Sequence, residues 1–195
     1  CISNLENIQK EVGDCTILCV VKANGYGHGS VAIAKSIASN SNIQFAVFSI
    51  DEAIQLRESN IINDILVFSR IQPDFIDIAF KNNIILNISS LDDIQYIKSY
   101  TLKKRRCPRY HIKFETGMTR LGVDLKDAHL LYEKIIKDLN IHPEGIYTHF
   151  ATADEGDISY AENQLIKFKS VIDLANKFNI NYKYVHCSNS GAILN

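Results

Sequence analysis

Thr16-Ile17-Leu18-Cys19-Val20-Val21 is a short, almost wholly apolar run rich in β-branched residues. That is the pattern of a strand buried on both faces, as in a parallel sheet. Lys22-Ala23-Asn24-Gly25-Tyr26-Gly27-His28-Gly29 follows, punctuated by glycine, and reads as a loop. Ser30 is then placed to cap a helix whose apolar stripe is Val31, Ala34, Ile37 and Ala38. Upstream, Ile2, Leu5 and Ile8 sit at helical spacing, and Gly13-Asp14 closes that segment. The stretch is therefore helix, strand, loop, helix, which is the building block of a parallel βα repeat.

The block recurs along the chain. Strands are expected at Phe45–Phe48, Ile65–Phe68, Ile84–Ile88, Tyr110–Phe114, Gly145–His149 and Tyr184–Cys187. Helices are expected over Ser49–Glu58 with Ala53 and Leu56 inward, from about Pro73, and over Leu91–Ser99. Two longer helices are marked by Leu125, Ala128, Leu131, Ile135 and Leu139, and by Leu165, Phe168, Val171, Ile172, Ala175 and Phe178. About seven strands alternating with helices mean parallel strands joined by right-handed crossovers. The class is α/β, and the alternation leaves a doubly wound open sheet and a (β/α)₈ barrel, about seven units being close to a barrel cut short. Three prolines and nine glycines mark no linker.

Composition excludes several classes. The 195 residues are 46% hydrophobic and 22% charged, ordinary for a globular fold. With 21 basic and 22 acidic side chains the net charge is -1, so no chain-wide basic field for nucleic acid exists. Lys103-Lys104-Arg105-Arg106 reads as a solvated connection. No apolar run reaches the roughly 18–20 residues of a membrane helix. The five cysteines, without a C-x-x-C, read as reduced thiols in a cytoplasmic protein, and no metal site is expected.

Polar residues that are costly to bury gather at strand carboxyl ends: Lys22 after the first, Lys113 and Glu115 at the fifth, His149 at the sixth, and Ser188, Asn189 and Ser190 after the seventh. In both candidate architectures that edge carries active sites. Each residue alone has an ordinary structural reading: a solvated lysine, a hydrogen-bonded histidine, a surface Arg120, a packing thiol at Cys187, a helix cap at Ser190. Together, a lysine able to form a Schiff base and a loop-to-helix phosphate site point weakly to pyridoxal phosphate.

Val20 to Gly29 closely resembles the cofactor-lysine signature of bacterial alanine racemases, V-K-A-N-x-Y-G-H-G. Further stretches agree in order: Lys113 to Gly122, Thr148 to Asp154, His186 to Ala192, and, more mildly, Phe45 to Phe48 followed by Asp51-Glu52-Ala53. The resemblance implies a (β/α)₈ barrel holding pyridoxal 5'-phosphate, followed by a β-rich second domain. It implies a homodimer that interconverts L- and D-alanine and supplies D-alanine for peptidoglycan. Carried over by motif, Lys22 would bind the cofactor covalently and act as one of two bases exchanging the Cα proton. Tyr26 and Ser190 would hold the phosphate, with Asn189 beside them. Arg120 would bond the phenolic oxygen, and Lys113, often carbamylated in the family, would orient it, with Met118 in the same motif. His149 would support the hydrogen-bond network on the pyridine side. Glu115 stands where the family more often has Asp, and Gly25 where Ala is commoner. The resemblance places the second base and the arginine facing the pyridine nitrogen beyond Asn195. With a first residue that is Cys, residues 1–195 are expected to be a partial barrel domain that is not a competent racemase alone. A related serine racemase, another pyridoxal-phosphate barrel enzyme and a non-catalytic cofactor-binding module are the alternatives. The absence of any Gly-Gly pair argues against the glycine-triplet phosphate loop of basic amino acid decarboxylases.

Overall fold

The computed structural model describes residues 2–137 and 141–194. The chain divides into two compact units, Cys1–Leu86 and Asn87–Asn195. Composition leaves no mark of this division, because it falls inside a strand.

In the first unit the elements run α1 (Ile2–Val12), β1 (Ile17–Val20), a short helical turn α2 (Lys22–Tyr26), α3 (Ser30–Ile37), β2 (Ile43–Val47), α4 (Ile50–Glu58), β3 (Ile65–Val67), α5 (Ile76–Lys81) and β4 (Ile84–Ile88). A 3₁₀ turn over Pro73–Phe75 leads into α5, with Pro73 at its first position. The strands pair in parallel, β1 with β2, β2 with β3 and β3 with β4, in registers such as Cys19 to Phe45 and Phe45 to Ile65. β2, flanked on both sides, is buried throughout. β1 is not: its residues are half-buried and Val20 is exposed. Among the described residues of this unit β1 has a neighbour on one side only, so the expectation of burial on both faces is corrected. Ser30 is also not the cap expected of it. Gly29 occupies the cap position, and Asn24 Oδ1 accepts from the Ser30 N–H at 3.0 Å. Arg57 braces the lower loops, donating to the carbonyls of Ile61, Asn63, Asn82 and Asn83 at 2.6–2.8 Å. Its planar fork suits that task better than a point-charge ammonium.

The second unit contains α6 (Leu91–Lys104), β5 (Tyr110–Glu115), β6 (Val123–Asp124), α7 (Ala128–Ile136), β7 (Gly145–Tyr147), α8 (Ser159–Lys177), β8 (Tyr184–His186) and α9 (Ser190–Leu194). β5 pairs in parallel with β7 and β7 with β8, while the two-residue β6 pairs with the end of β5. β6 has no sequence signature, since two residues carry no period. α6 runs past Ser99 into the basic cluster, with Lys103 and Lys104 exposed in its last turn and Arg105 in a left-handed cap. β7 stops at Tyr147, short of His149, and β8 stops at His186, short of Cys187. Leu139 lies outside the described residues. The core joins Tyr110, Ile112 and Phe114 of β5 to Leu131, Tyr132 and Ile135 of α7 and Phe168, Val171 and Ala175 of α8, all buried. Each of the buried Leu, Ile, Val and Phe side chains contributes about 1.5–3 kcal/mol by leaving water. Tyr132 keeps its hydroxyl satisfied by donating to the Val171 carbonyl at 2.9 Å.

No helix among the described residues is long and apolar enough to cross a membrane. Among them, no group of three or more His, Cys, Asp or Glu is placed to hold a metal ion. Cys15, Cys19 and Cys187 are free thiols, and Cys107 Sγ donates to the Pro108 carbonyl at 3.3 Å.

Candidate active site

In the first unit the site is the turn that carries Lys22. Ala23 (φ 51°, ψ 49°), Asn24 (φ 52°, ψ 45°), Gly25 (φ 63°, ψ 39°) and Tyr26 (φ 55°) lie in succession in the left-handed region. For an ordinary L-residue that conformation costs roughly 1–2 kcal/mol, less for asparagine and nothing for glycine. Four backbone hydrogen bonds close the turn: Gly25 N–H to Val21 O, Gly27 N–H to Ala23 O, His28 N–H to Gly25 O and Gly29 N–H to Asn24 O. Gly25 takes its left-handed φ without cost, and a Cβ there would press on Ile33 Cδ1 at 2.9 Å and Ser30 N at 3.1 Å, which an alanine meets only by a small shift of its neighbours. Lys22 is half-buried, with Nζ 5.9 Å from the centre of the Tyr26 ring, and Tyr26 is 60% exposed. The expected glycine loop is thus a left-handed helical turn that fixes Lys22 and Tyr26 side by side.

In the second unit three polar residues form a row across the sheet. Lys113 of β5 is in register with Tyr147 of β7, and Tyr147 with His186 of β8. Lys113, though charged, is 6% exposed, with Nζ 5.7 Å from the Tyr147 ring centre. Tyr147 stacks on His186 at 4.7 Å with the planes 4° apart, and its hydroxyl donates to Asn87 Oδ1 at 2.9 Å. Burial pushes the Tyr147 phenol up, with the Arg120 charge opposing it. His111, two residues before Lys113 on the same strand face, brings Nδ1 within 3.2 Å of His186 Nε2. Gly145 makes room for that ring, since a Cβ there would stand 2.8 Å from three imidazole atoms. Burial pushes the His186 imidazole down to about 4.

The loop after β5 carries Met118 and Arg120. Glu115 shapes it, one carboxylate oxygen accepting from the Gly117 N–H and the other from the Arg120 N–H at 3.2 Å. Burial raises the Glu115 carboxyl. The backbone donors of Thr119, Gly117 and Arg120, with the charge of Lys113, outweigh it and hold the group below its ordinary value. Met118 is half-buried and Arg120 exposed at this loop. An open cavity of about 560 Å³ adjoins it, lined by Arg120, Glu115, Ser89, Ser90, Asp92 and Asp124 among others.

α8 ties the strand-end loops together. Gln164, 1% exposed, donates to Thr116 Oγ1 at 3.2 Å and to the His149 carbonyl at 3.0 Å, and accepts from the Ala151 N–H at 2.9 Å. Tyr160 donates to the Gly117 carbonyl at 2.8 Å. His149 is half-buried just past β7. Asn189, not Ser190, caps α9: its Oδ1 accepts from the Ala192 N–H at 3.0 Å and its Nδ2 donates to the Phe150 carbonyl at 3.4 Å. Ser190 opens α9 and is exposed, leaving its hydroxyl at the surface. Cys187 is a packing thiol beside Phe150, Ala153 and Ala161, pushed up by burial.

Lys22 and Tyr26 therefore share one turn of the first unit, and Lys113, Met118, Arg120, His149, Asn189 and Ser190 occupy strand ends of the second. Sequence reasoning passed over His111, Asn87, Tyr147 and Gln164 and gave His186 no role. The signal for β5 was available: His111, Lys113 and Glu115 alternate with Tyr110, Ile112 and Phe114, a period of two with polar groups on one face.

A parallel βα repeat with a lysine, an arginine and buried titratable groups gathered at strand carboxyl ends is the design of a barrel-type catalytic domain. The family described as "Alanine racemase, N-terminal domain" matches residues 2–195. An alanine racemase of Methanococcus maripaludis is 37% identical over 199 residues, covering 99% of this chain and 53% of the relative. One from Streptococcus suis is 40% identical over 172 residues, covering 88% and 45%. The solved alanine racemase of Clostridium difficile 630 in complex with cycloserine superposes with a TM-score of 0.92 at 31% identity, over 98% of this chain and 53% of that one. A histidine racemase from Leuconostoc mesenteroides, at 23% identity and a TM-score of 0.88, shows a shared fold alone. The chain belongs to the alanine racemase family, and the superposition assigns its fold class to the barrel of those enzymes rather than an open sheet. It spans about half the length of the curated relatives it matches.

Proposed function

We propose that this chain forms the pyridoxal-phosphate-holding barrel of an enzyme that interconverts L- and D-alanine. Lys22 is the residue that binds the cofactor covalently and moves the proton at the substrate Cα on one face. The observation that carries the reading is the Lys22 turn, where a half-buried lysine is held at a strand end by a strained backbone closed by its own hydrogen bonds. Strain of that kind persists only where its surroundings enforce it, and it gathers at functional sites.

The donor set suits the group. The Lys22 amine matches an aldehyde, the Tyr26 and Ser190 hydroxyls and the Asn189 amide match a phosphate, and the Arg120 guanidinium matches a phenolate oxygen. Pyridoxal phosphate, when bound, supplies an aldehyde for the amino group and a ring that draws electrons from Cα, which makes the Cα proton acidic. Lys113 and Met118 set the loop on which Arg120 sits, and His149 supports the neighbouring strand end. The reading includes a homodimer acting on a small amino acid in the cytoplasm and producing D-alanine for peptidoglycan.

Borohydride reduction of the cofactor-loaded whole protein, then peptide mapping, is expected to place the pyridoxyl group on Lys22. Finding it on Lys113 or elsewhere would overturn the assignment. Lys22→Ala is expected to lower kcat for alanine, followed by circular dichroism at saturating L-alanine, by at least about a hundredfold, since both covalent binding and a base are lost.

A further inference from the structure

Asp51-Glu52-Ala53 stands apart from every role assigned so far, yet the Glu52 side chain reaches the backbone next to Lys22. Glu52 is the third residue of α4 and completes a capping box with Ser49: its N–H donates to Ser49 Oγ at 3.3 Å. Its Oε2 accepts from Ser49 N–H at 3.1 Å and from Phe48 N–H at 2.7 Å. An ordinary capping box needs no more than this. Here the second oxygen is also engaged: Oε1 accepts from the Ala23 N–H at 2.6 Å.

Ala23 is the residue after Lys22 and the first of the left-handed run. A residue without glycine's freedom holds such a conformation only when its neighbours over-determine it. The bond from Ala23 to a carboxylate is charge-assisted, stronger than the neutral backbone bonds that close the rest of the turn. One half-buried carboxylate thus joins the corner between β2 and α4 to the start of the lysine turn.

We propose that Glu52 is the positioning residue for Lys22: it pins the Ala23 N–H and so sets the direction in which the lysine leaves β1. The inference rests on Lys22 being the cofactor-binding residue. Glu52→Gln keeps the shape but has a single acceptor oxygen, and its NH₂ faces the backbone donors. Glu52→Asp keeps the charge at the helix start but is one methylene too short to serve both loops. Ser49→Ala removes the other half of the capping box and leaves the Ala23 bond in place.

The test uses the whole protein titrated with pyridoxal phosphate, reading apparent affinity and the pH midpoint of the visible absorbance band, beside a thermal melt. Both Glu52 variants are expected to weaken affinity about ten- to hundredfold, the size of a lost charge-assisted bond, and to move the band midpoint. Ser49→Ala is expected to lower the melting temperature while keeping wild-type affinity and midpoint. Should Glu52→Gln not fold, Glu52→Asp decides alone. Wild-type affinity and midpoint in the folded Glu52 variants, or an equal loss in Ser49→Ala, would overturn the proposal and leave the cofactor assignment standing. An unaltered protein that takes no pyridoxyl group on Lys22 would overturn both.

Discussion

His186 shows how one side chain converts its surroundings into a pH dependence. It is stacked on Tyr147, faced by His111 at 3.2 Å, and burial takes it from the ordinary 6.5 to about 4. A group depressed by folding contributes stability that is whole above its unfolded value and is lost as pH falls through its folded value. Below 6.5 the unfolded chain takes up a proton that the folded chain refuses until about pH 4. Stability is therefore expected to fall between pH 6.5 and 4 by an amount on the order of 3 kcal/mol. Denaturant unfolding at a series of pH values measures this, and His186→Gln should flatten the slope in that window. An unchanged slope would remove His186 as its source. Glu115, also held low, adds a similar trend at more acid pH, where its carboxylate takes up a proton and releases the loop that carries Arg120.

At the scale of elements, α8 holds the loops after β5 and β7 through one buried amide. Gln164 satisfies groups on both the β5 and the β7 loop. Gln164→Leu keeps the volume and leaves the Ala151 N–H, the His149 carbonyl and the Thr116 hydroxyl without it. The expected cost is about 2–4 kcal/mol, since unsatisfied buried groups cost about 1–3 kcal/mol each and water relieves some of them. A shift in urea midpoint at constant slope is the measurement, and a shift under about 0.5 kcal/mol would show that the loops hold without it. The sequence makes the neighbouring apolar framework plain, and for a physical reason. Phe168, Val171 and Ala175 recur at helical spacing, and Ile84–Ile88 is a short isoleucine-rich run of strand length. Lys22 and Lys113 stood out as well, because charge directly beside apolar strands is costly and therefore conspicuous, whereas Arg120 was singled out by the resemblance alone. Gln164, Asn87 and Glu52 were not, because their partners lie 13 to 60 positions away and include backbone atoms that no side-chain pattern records. The sense of the Lys22 turn was hidden too: three glycines announce a turn, but the left-handed residues include Ala23 and Tyr26, which carry no such signal.

For the molecule as a whole, the reading predicts that cofactor and fold stabilise one another. A ligand bound only by the folded state adds about 2.7 kcal/mol at a free concentration one hundred times its Kd. The melting temperature of the whole protein is expected to rise with pyridoxal phosphate and to keep rising logarithmically beyond saturation. Lys22→Ala should shrink that rise, because the proposed covalent attachment is lost while the hydroxyls proposed to hold the phosphate remain. Differential scanning calorimetry over a concentration series checks it, and a melting temperature indifferent to pyridoxal phosphate would count against the proposed function.

Mirror symmetry gives the turn at Lys22 another meaning. A protein chain of L-residues is built to coil one way, and from Ala23 to Tyr26 this one coils the other way. Reflected in a mirror, that segment would be an ordinary right-handed turn, so its backbone is already the shape that D-residues prefer. The chain proposed to erase the distinction between L- and D-alanine carries, at its own Ala23, an L-alanine in the posture of its enantiomer.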